Sequence, residues 1–155
     1  MEVTLHNGDI TTSNANVIGH QTNCLFIMGG GVALAIRMKW PKVYNEYRQL
    51  GKSAPNKKSS EWLGTCQLVQ IDAEHYVANL FGQDNIGSGC MTNYDALKEA
   101  LVSLHNKIQG NEIIKTVAFP WLMSCGLAGG DWNIVKPLVE GVFSDLDIEL
   151  QWWKF

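Results

Sequence analysis

Asn23 to Ile36 reads NCLFIMGGGVALAI, an apolar run broken by three glycines before a helix-forming run. Glycine loses more backbone entropy on folding than any other residue. Gly29, Gly30 and Gly31 therefore supply something a side chain would block. Either a turn here needs φ > 0, or main chain must come close to a ligand.

The flanks of the triplet set its context. Asn16 to His20 (NVIGH) reads as a short strand. Val32 to Trp40 reads as a helix, and Pro41 opens another that runs through Tyr44 and Tyr47. A second glycine-rich loop, Ser124 to Asp131 (SCGLAGGD), lies between the strand Thr116 to Pro120 (TVAFP) and a helix from Trp132 to Phe143. In α/β sheets ligands bind beyond the carboxyl ends of the strands. Each loop ends at a helix N-terminus, where unpaired N–H groups and the helix dipole favour an anion. Two such loops imply a diphosphate or several phosphates. Neither carries the GK[ST] ending of a Walker A loop, and the first is not GxGxxG, which argues against nicotinamide-dependent redox chemistry.

The remaining pattern is of the same class. Val3 to Leu5 is an opening strand closed by the turn Asn7-Gly8-Asp9. Cys66 to Ile71 and Tyr76 to Phe81 read as strands joined through Asp72 to His75, and Ile148 to Trp153 as the last strand. Tyr94, Leu97, Leu101, Leu104 and Ile108 recur at helical spacing behind Thr92 as N-cap, and Lys52 to Ser60 reads as a polar surface loop. The expected fold class is α/β, a three-layer α/β/α arrangement of one mixed sheet with helices on both faces, built as a single domain over residues 1–155.

Bulk properties narrow the function. The chain has 155 residues, 46% hydrophobic and 17% charged, with a formal net charge of −3. Lys and Arg are scattered, which excludes an electrostatic footprint for nucleic acid. No apolar run reaches the length of a membrane span, and MEVTLHNGDI lacks the character of a signal peptide, so a cytoplasmic monomer is expected. Cys24, Cys66, Cys90 and Cys125 show no CxxC or Cys/His spacing, which points to reduced thiols and to no metal or other cofactor.

GDIT (Gly8 to Thr11), the NCLFIMGGGVALAI run and SCGLAGGDW (Ser124 to Trp132) together resemble the macrodomains, which bind ADP-ribose. The resemblance runs in order along essentially the whole chain. It is nearest to the branch holding the fungal ADP-ribose 1″-phosphate phosphatase, through GHQTNC, WPKVYNEY, LGTC, LFG and NYDAL. Bacterial and phage macrodomain proteins are similar again.

The resemblance implies roles. Asp9 accepts from the adenine amino group with Ile10 beside it, although Asp9 also suits a turn cap. Trp153 stacks on the adenine, while the alternation with Trp152 sends one of the two to the core. Asn23 holds the distal ribose. Gly29, Gly30, Gly31 and Val32 line the diphosphate and distal ribose; Ser124, Cys125, Gly126, Leu127 and Ala128 close over the diphosphate from the other side. His20 is the catalytic candidate, matching the histidine held to be catalytic in the fungal phosphatase; a hydrogen-bonded core histidine is the structural alternative. Asp84 stands either as its partner or as a turn former. Ala128 occupies the place of the aspartate in the lysine–aspartate mechanism of a related branch, so that mechanism is not expected. Asp131 is expected to cap the Trp132 helix, Cys24 or Cys125 is a remote nucleophile, and His6, His75 and His105 are expected to be solvated.

The implied ligand is ADP-ribose or an ADP-ribose derivative, an ADP-ribosylated protein included. The implied activity is metal-independent hydrolysis, His20 activating water or protonating the leaving oxygen at the terminal-ribose phosphate while loop amides stabilise developing charge. The alternative is a non-catalytic binder that reads ADP-ribosylated protein or sequesters an ADP-ribose-derived signal.

Overall fold

The structure, a computed structural model, describes residues 1–87, 90–126 and 128–155. Its centre is a six-stranded sheet: β1 (Glu2–Asn7), β2 (Val17–Asn23), β3 (Cys66–Gln70), β4 (Tyr76–Gln83), β5 (Thr116–Pro120) and β6 (Glu149–Lys154), in the spatial order β1-β6-β5-β2-β4-β3. Every neighbouring pair is parallel except β3 with β4, which pair antiparallel through the tight connection at Asp72 to His75. Helices α1 (Gly31–Lys39) and α2 (Pro41–Lys52) cover one face; α3 (Tyr94–Ile108) and α4 (Trp132–Phe143) cover the other. The expected three-layer α/β/α fold is the observed one.

Strand alternation divides the core. Ile18, Val77, Phe81 and Ala118 meet Ile36, Val43 and Tyr47 on the α1/α2 side. Val17, Val117, Phe119, Leu150 and Trp152 meet Leu97, Leu101, Leu104, Val139 and Phe143 on the other. A strand buried on both faces reads as a continuous apolar run, which is how TVAFP and YVANLF appear. Short helical turns at Ile10–Thr12 and Ser59–Trp62 were not legible as such; the second begins at the end of the stretch read as a loop, Lys52 to Ser60, and is anchored by Trp62, buried against Phe26 and Phe81. The N-cap of α3 is Asn93, whose side chain accepts from the Ala96 N–H at 3.0 Å, rather than Thr92.

The histidines expected to be solvated are each half-buried and partnered. His6 stacks on Trp153 with ring centres 4.9 Å apart. His75 bonds Asp72 and Asn14, and His105 pairs with Asp145 at 2.8 Å. Among the described residues no helix is long and apolar enough to cross a membrane.

The order of the strands locates a crevice. β2 and β5 are neighbours, yet the chain leaves β2 toward α1 on one face and leaves β5 toward α4 on the other. The loops that follow them separate, and the gap at their carboxyl ends is the place where open α/β sheets bind ligands.

Candidate functional site

A cavity of about 670 Å³ occupies that gap. Of the residues expected at the site, it is lined by His20, Asn23, Gly29, Gly30, Gly31 and Val32 from the β2 side, and by Ser124, Gly126 and Ala128 from the β5 side. Leu127 lies outside the described residues. Cys125 does not line the cavity; its thiol bonds the Met123 carbonyl at 3.2 Å, and burial pushes its pKa up to about 11. Cys24 is pushed up to about 12 by burial and by the charge of Asp84. Neither thiol is the low-pKa type that acts as a nucleophile.

Asn23 builds the first loop. Its Oδ1 accepts from the N–H groups of Leu25 and Ile27 at 3.1 and 3.2 Å, and its Nδ2 donates to the Ile27 carbonyl at 2.9 Å. The Tyr47 hydroxyl donates to the Asn23 carbonyl from beneath. The chain then passes through Phe26 at φ 61°, a left-handed conformation unusual for a bulky residue, held by ring contacts to Tyr47, Trp62 and Phe81. Asn23 is thus committed to the loop with one amide hydrogen to spare for a ligand.

The glycine triplet opens α1. Gly30 is the N-cap in extended conformation and supplies no side-chain cap, and Gly31 follows at φ 56°, where only glycine sits without strain. The first-turn residues of α1 thus line the cavity, and no side chain caps that helix end. The second loop is built differently: Asp131 caps α4 as expected, through a 2.9 Å bond from the Asn133 N–H, so a carboxylate of the chain already holds that helix terminus. The two loops are not equivalent anion sites.

A polar network that the sequence reading missed fixes the second loop. Leu122 and Ser124 both adopt left-handed φ, 63° and 67°. Ser124 Oγ donates to Gln21 Oε1 at 2.6 Å. Gln21 Nε2 donates to Gln83 Oε1 at 2.9 Å and to Thr92 Oγ1 at 3.1 Å. Thr92 Oγ1 returns a bond to the Ser124 carbonyl at 2.8 Å. Left-handed non-glycine residues persist when surroundings over-determine them, and this closed ring does so. The signal that was available is the polar run Gln21-Thr22-Asn23: it continues β2 rather than ending it.

His20 is 2% exposed on the cavity wall. Its Nε2 lies 2.7 Å from Asn79 Oδ1, and its Nδ1 has no partner in the protein. Burial lowers its pKa from 6.5 to about 4, against a smaller opposing effect of Asn79, so the ring is neutral at physiological pH. The Thr22 hydroxyl, two residues on and facing the same side of β2, is likewise buried without a partner. Asp84 does not join them. It lines a separate hollow beside Leu63, Cys90 and Met91, and its buried Oδ1 bonds nothing. Of the two readings of Asp84, the turn position is the one seen: β4 ends at Gln83, Asp84 leaves with the turn, and the side chain bonded to His20 is Asn79. Among the described residues lining the cavity, His20 is the one titratable side chain. No described group of three or more His, Cys, Asp or Glu is arranged to hold a metal ion.

Asp9, Ile10 and Trp153 stand outside this cavity, farther along the same carboxyl edge. Asp9 Oδ1 accepts from the Thr11 N–H at 2.9 Å and the Thr11 hydroxyl at 2.8 Å, capping the turn; its other oxygen is uncommitted. Ile10 is buried against the α1/α2 core. Trp153 rests one face on His6 and donates its Nε1–H to Gln151 at 2.9 Å. The Trp121 N–H donates to the Trp153 carbonyl at 2.7 Å, and Trp121 lines the cavity, so the two sites are joined through β5 and β6.

Known proteins share this fold. A protein of unknown function from Bacteroides thetaiotaomicron superposes with a TM-score of 0.86 at 28% identity, over 100% of this chain and 99% of that one. An uncharacterized 17.5 kDa protein from the tk-vs intergenic region of Enterobacteria phage T4 is 25% identical over 157 residues, covering 95% of this chain and 94% of the phage protein. Thermosipho africanus DarTG, solved in complex with ADP-ribose, has the same fold at TM-score 0.78 and 21% identity, over 98% of this chain and 42% of that one. The family model for the Macro domain matches residues 20–139, which take in both loops, the cavity between them and the helices they open: the chain belongs to the macrodomain family.

Proposed function

We propose that the chain binds ADP-ribose or an ADP-ribose derivative in the cleft between β2 and β5, and that it hydrolyses a bond at the distal ribose. The observation that carries the binding reading is the α1 N-terminus, without a side-chain cap, opening onto a cavity that no carboxylate lines among the described residues. Helix-terminal amides there supply the positive potential for a diphosphate that this acidic chain does not provide through side chains. Family membership and the ADP-ribose complex of DarTG support the same ligand. Asp9 and Trp153, joined to the cavity through Trp121, form the adenine end; Asn23 and His20 form the distal-ribose end.

For hydrolysis, ADP-ribose 1″-phosphate is the substrate to test first. Water attacks phosphorus, the bond to the ribose oxygen breaks, and ADP-ribose and inorganic phosphate leave. A neutral His20 accepts a hydrogen bond from the water, and loop amides stabilise the charge that develops. As the water attacks, the ring takes its proton at Nδ1 and passes it through solvent to the departing ribose oxygen, so that ADP-ribose leaves as a free hydroxyl and His20 returns neutral. One observation favours the alternative, a non-catalytic binder: among the described residues lining the cavity, none beside His20 is a carboxylate. Calorimetry with ADP-ribose and phosphate release from its 1″-phosphate, for wild type and His20→Ala, separate the readings. Binding with phosphate release that His20→Ala loses supports the enzyme; tight binding with no release supports the binder; no binding rejects both.

A further inference from the structure

Behind the cavity wall, three side chains form a row across three adjacent strands. His20 on β2 is in register with Asn79 on β4, and Asn79 is in register with Gln67 on β3. The row is bonded end to end. Gln67 Nε2 donates to the main-chain carbonyl of Glu46 on α2 at 3.0 Å. Asn79 Nδ2 donates to Gln67 Oε1 at 3.0 Å, and Asn79 Oδ1 meets His20 Nε2 at 2.7 Å. Asn79 is fully buried and alone among apolar neighbours in YVANLF, a place where a leucine or valine would be the ordinary choice.

The row has a direction, and the Glu46 carbonyl sets it. A carbonyl oxygen only accepts, so Gln67 must turn its NH₂ toward α2 and its oxygen toward Asn79. Asn79 must then turn its NH₂ toward Gln67 and its oxygen toward His20. An oxygen facing Nε2 requires a hydrogen on Nε2. We infer that Gln67 and Asn79 are positioning residues that hold His20 as the Nε2–H tautomer, leaving its Nδ1 as a bare hydrogen-bond acceptor. The group that Nδ1 takes is then a donor, a hydroxyl or a water, and not an anionic phosphate oxygen. The burial that keeps the ring neutral supports this, with no charged group opposing it.

The tautomer stands independently of the ligand; only the identity of the donor rests on the ADP-ribose reading. Long-range ¹H–¹⁵N spectra of ¹⁵N-labelled protein at neutral pH test the first. Expected is an unprotonated, imine-type Nδ1 and a protonated, pyrrole-type Nε2 for His20. The reverse pattern, or both nitrogens protonated, overturns the inference. Gln67→Met keeps side-chain length but removes both bonds of this half-buried end residue, to the Glu46 carbonyl and to Asn79. It is expected to mix the two tautomers and shift both nitrogens. Unchanged shifts in Gln67→Met overturn the relay. Asn79→Asp gives a second route: a carboxylate beside Nε2 is expected to raise the ring's titration into the neutral range, and an unmoved titration counts against the relay. Adding ADP-ribose is expected to move the Nδ1 signal of wild type in the sense of a newly accepted hydrogen bond. Binding that leaves Nδ1 unmoved overturns the assignment of the donor, whereas failure to bind sinks the ADP-ribose reading and leaves the tautomer result standing.

Discussion

Gly130 lies flat against the main chain of Ser124: its N–H donates to the Ser124 carbonyl at 2.7 Å, and a Cβ at position 130 would fall 2.5 Å from the same oxygen. Because the obstacle is backbone, no side-chain rotation relieves it. The cavity's second wall thus depends on a glycine beyond its lining residues.

Gly130→Ala is therefore expected to displace Ser124 and break its ring with Gln21 and Thr92. Destabilisation of about 1–3 kcal/mol fits a loss of this kind. Affinity for ADP-ribose should fall at least about tenfold, the effect of about 1.4 kcal/mol. Thermal melts and calorimetry on the same sample check both. Wild-type affinity in the variant would show that the Ser124 wall does not contact the ligand.

At the other wall stability and binding are expected to move in opposite directions. Gly30 is an N-cap with φ −157° and ψ 165°, extended backbone that an aspartate adopts readily. Gly30→Asp would cap α1, adding about 0.5–1 kcal/mol of stability. The same carboxylate would occupy the first-turn amides and repel a diphosphate, so a loss of ADP-ribose affinity of more than about tenfold is expected. A variant that melts higher and binds as before would move the diphosphate away from this helix end.

Most of the sheet was legible because its inner strands β2, β4 and β5 are buried on both faces and read as short apolar runs. The ends of the strands were not. Gln21, Thr22 and Asn23 look like a loop, yet they continue β2, because each polar group finds a buried partner or faces the cavity. Thr22 and His20 leave polar atoms unpartnered, which no composition rule reveals. The glycine loops pointed to the crevice in which the cavity lies, and the Asp131 cap was legible too; that this cap makes the two helix ends unequal as anion sites was not drawn from the glycines alone. Asn79 was readable in principle as a lone amide in an apolar strand; its meaning needed the register with His20 and Gln67.

Trp153→Ala tests the adenine end alone. Stacking of a base on an aromatic ring contributes about 1–3 kcal/mol, so ADP-ribose and ADP should both bind roughly 5- to 150-fold more weakly. Ribose 5-phosphate, which lacks the base, should be unaffected. His6 covers one face of the indole, so the adenine is expected to stack on the opposite one. Equal losses for ribose 5-phosphate and ADP-ribose would mean that Trp153 acts through the fold.

His20 should leave a signature in the pH dependence of stability. Its folded pKa, lowered to about 4 by burial, lies below the ordinary value of 6.5. Between those values the unfolded chain binds a proton that the folded one refuses, so stability falls as pH drops from about 6.5 to about 4, by about 3 kcal/mol in all, and is fully retained above 6.5. Asp72 and Glu149, whose pKa values hydrogen bonds hold low, lose their contributions only as pH falls through and below the carboxylate range, at the bottom of this window or beyond it. Urea unfolding of wild type and His20→Gln between about pH 4 and pH 7 isolates the effect, since glutamine removes the titrating ring. A slope between pH 5 and 6.5 that survives in His20→Gln would assign it to another group and undo the case for a buried neutral histidine on the cavity wall.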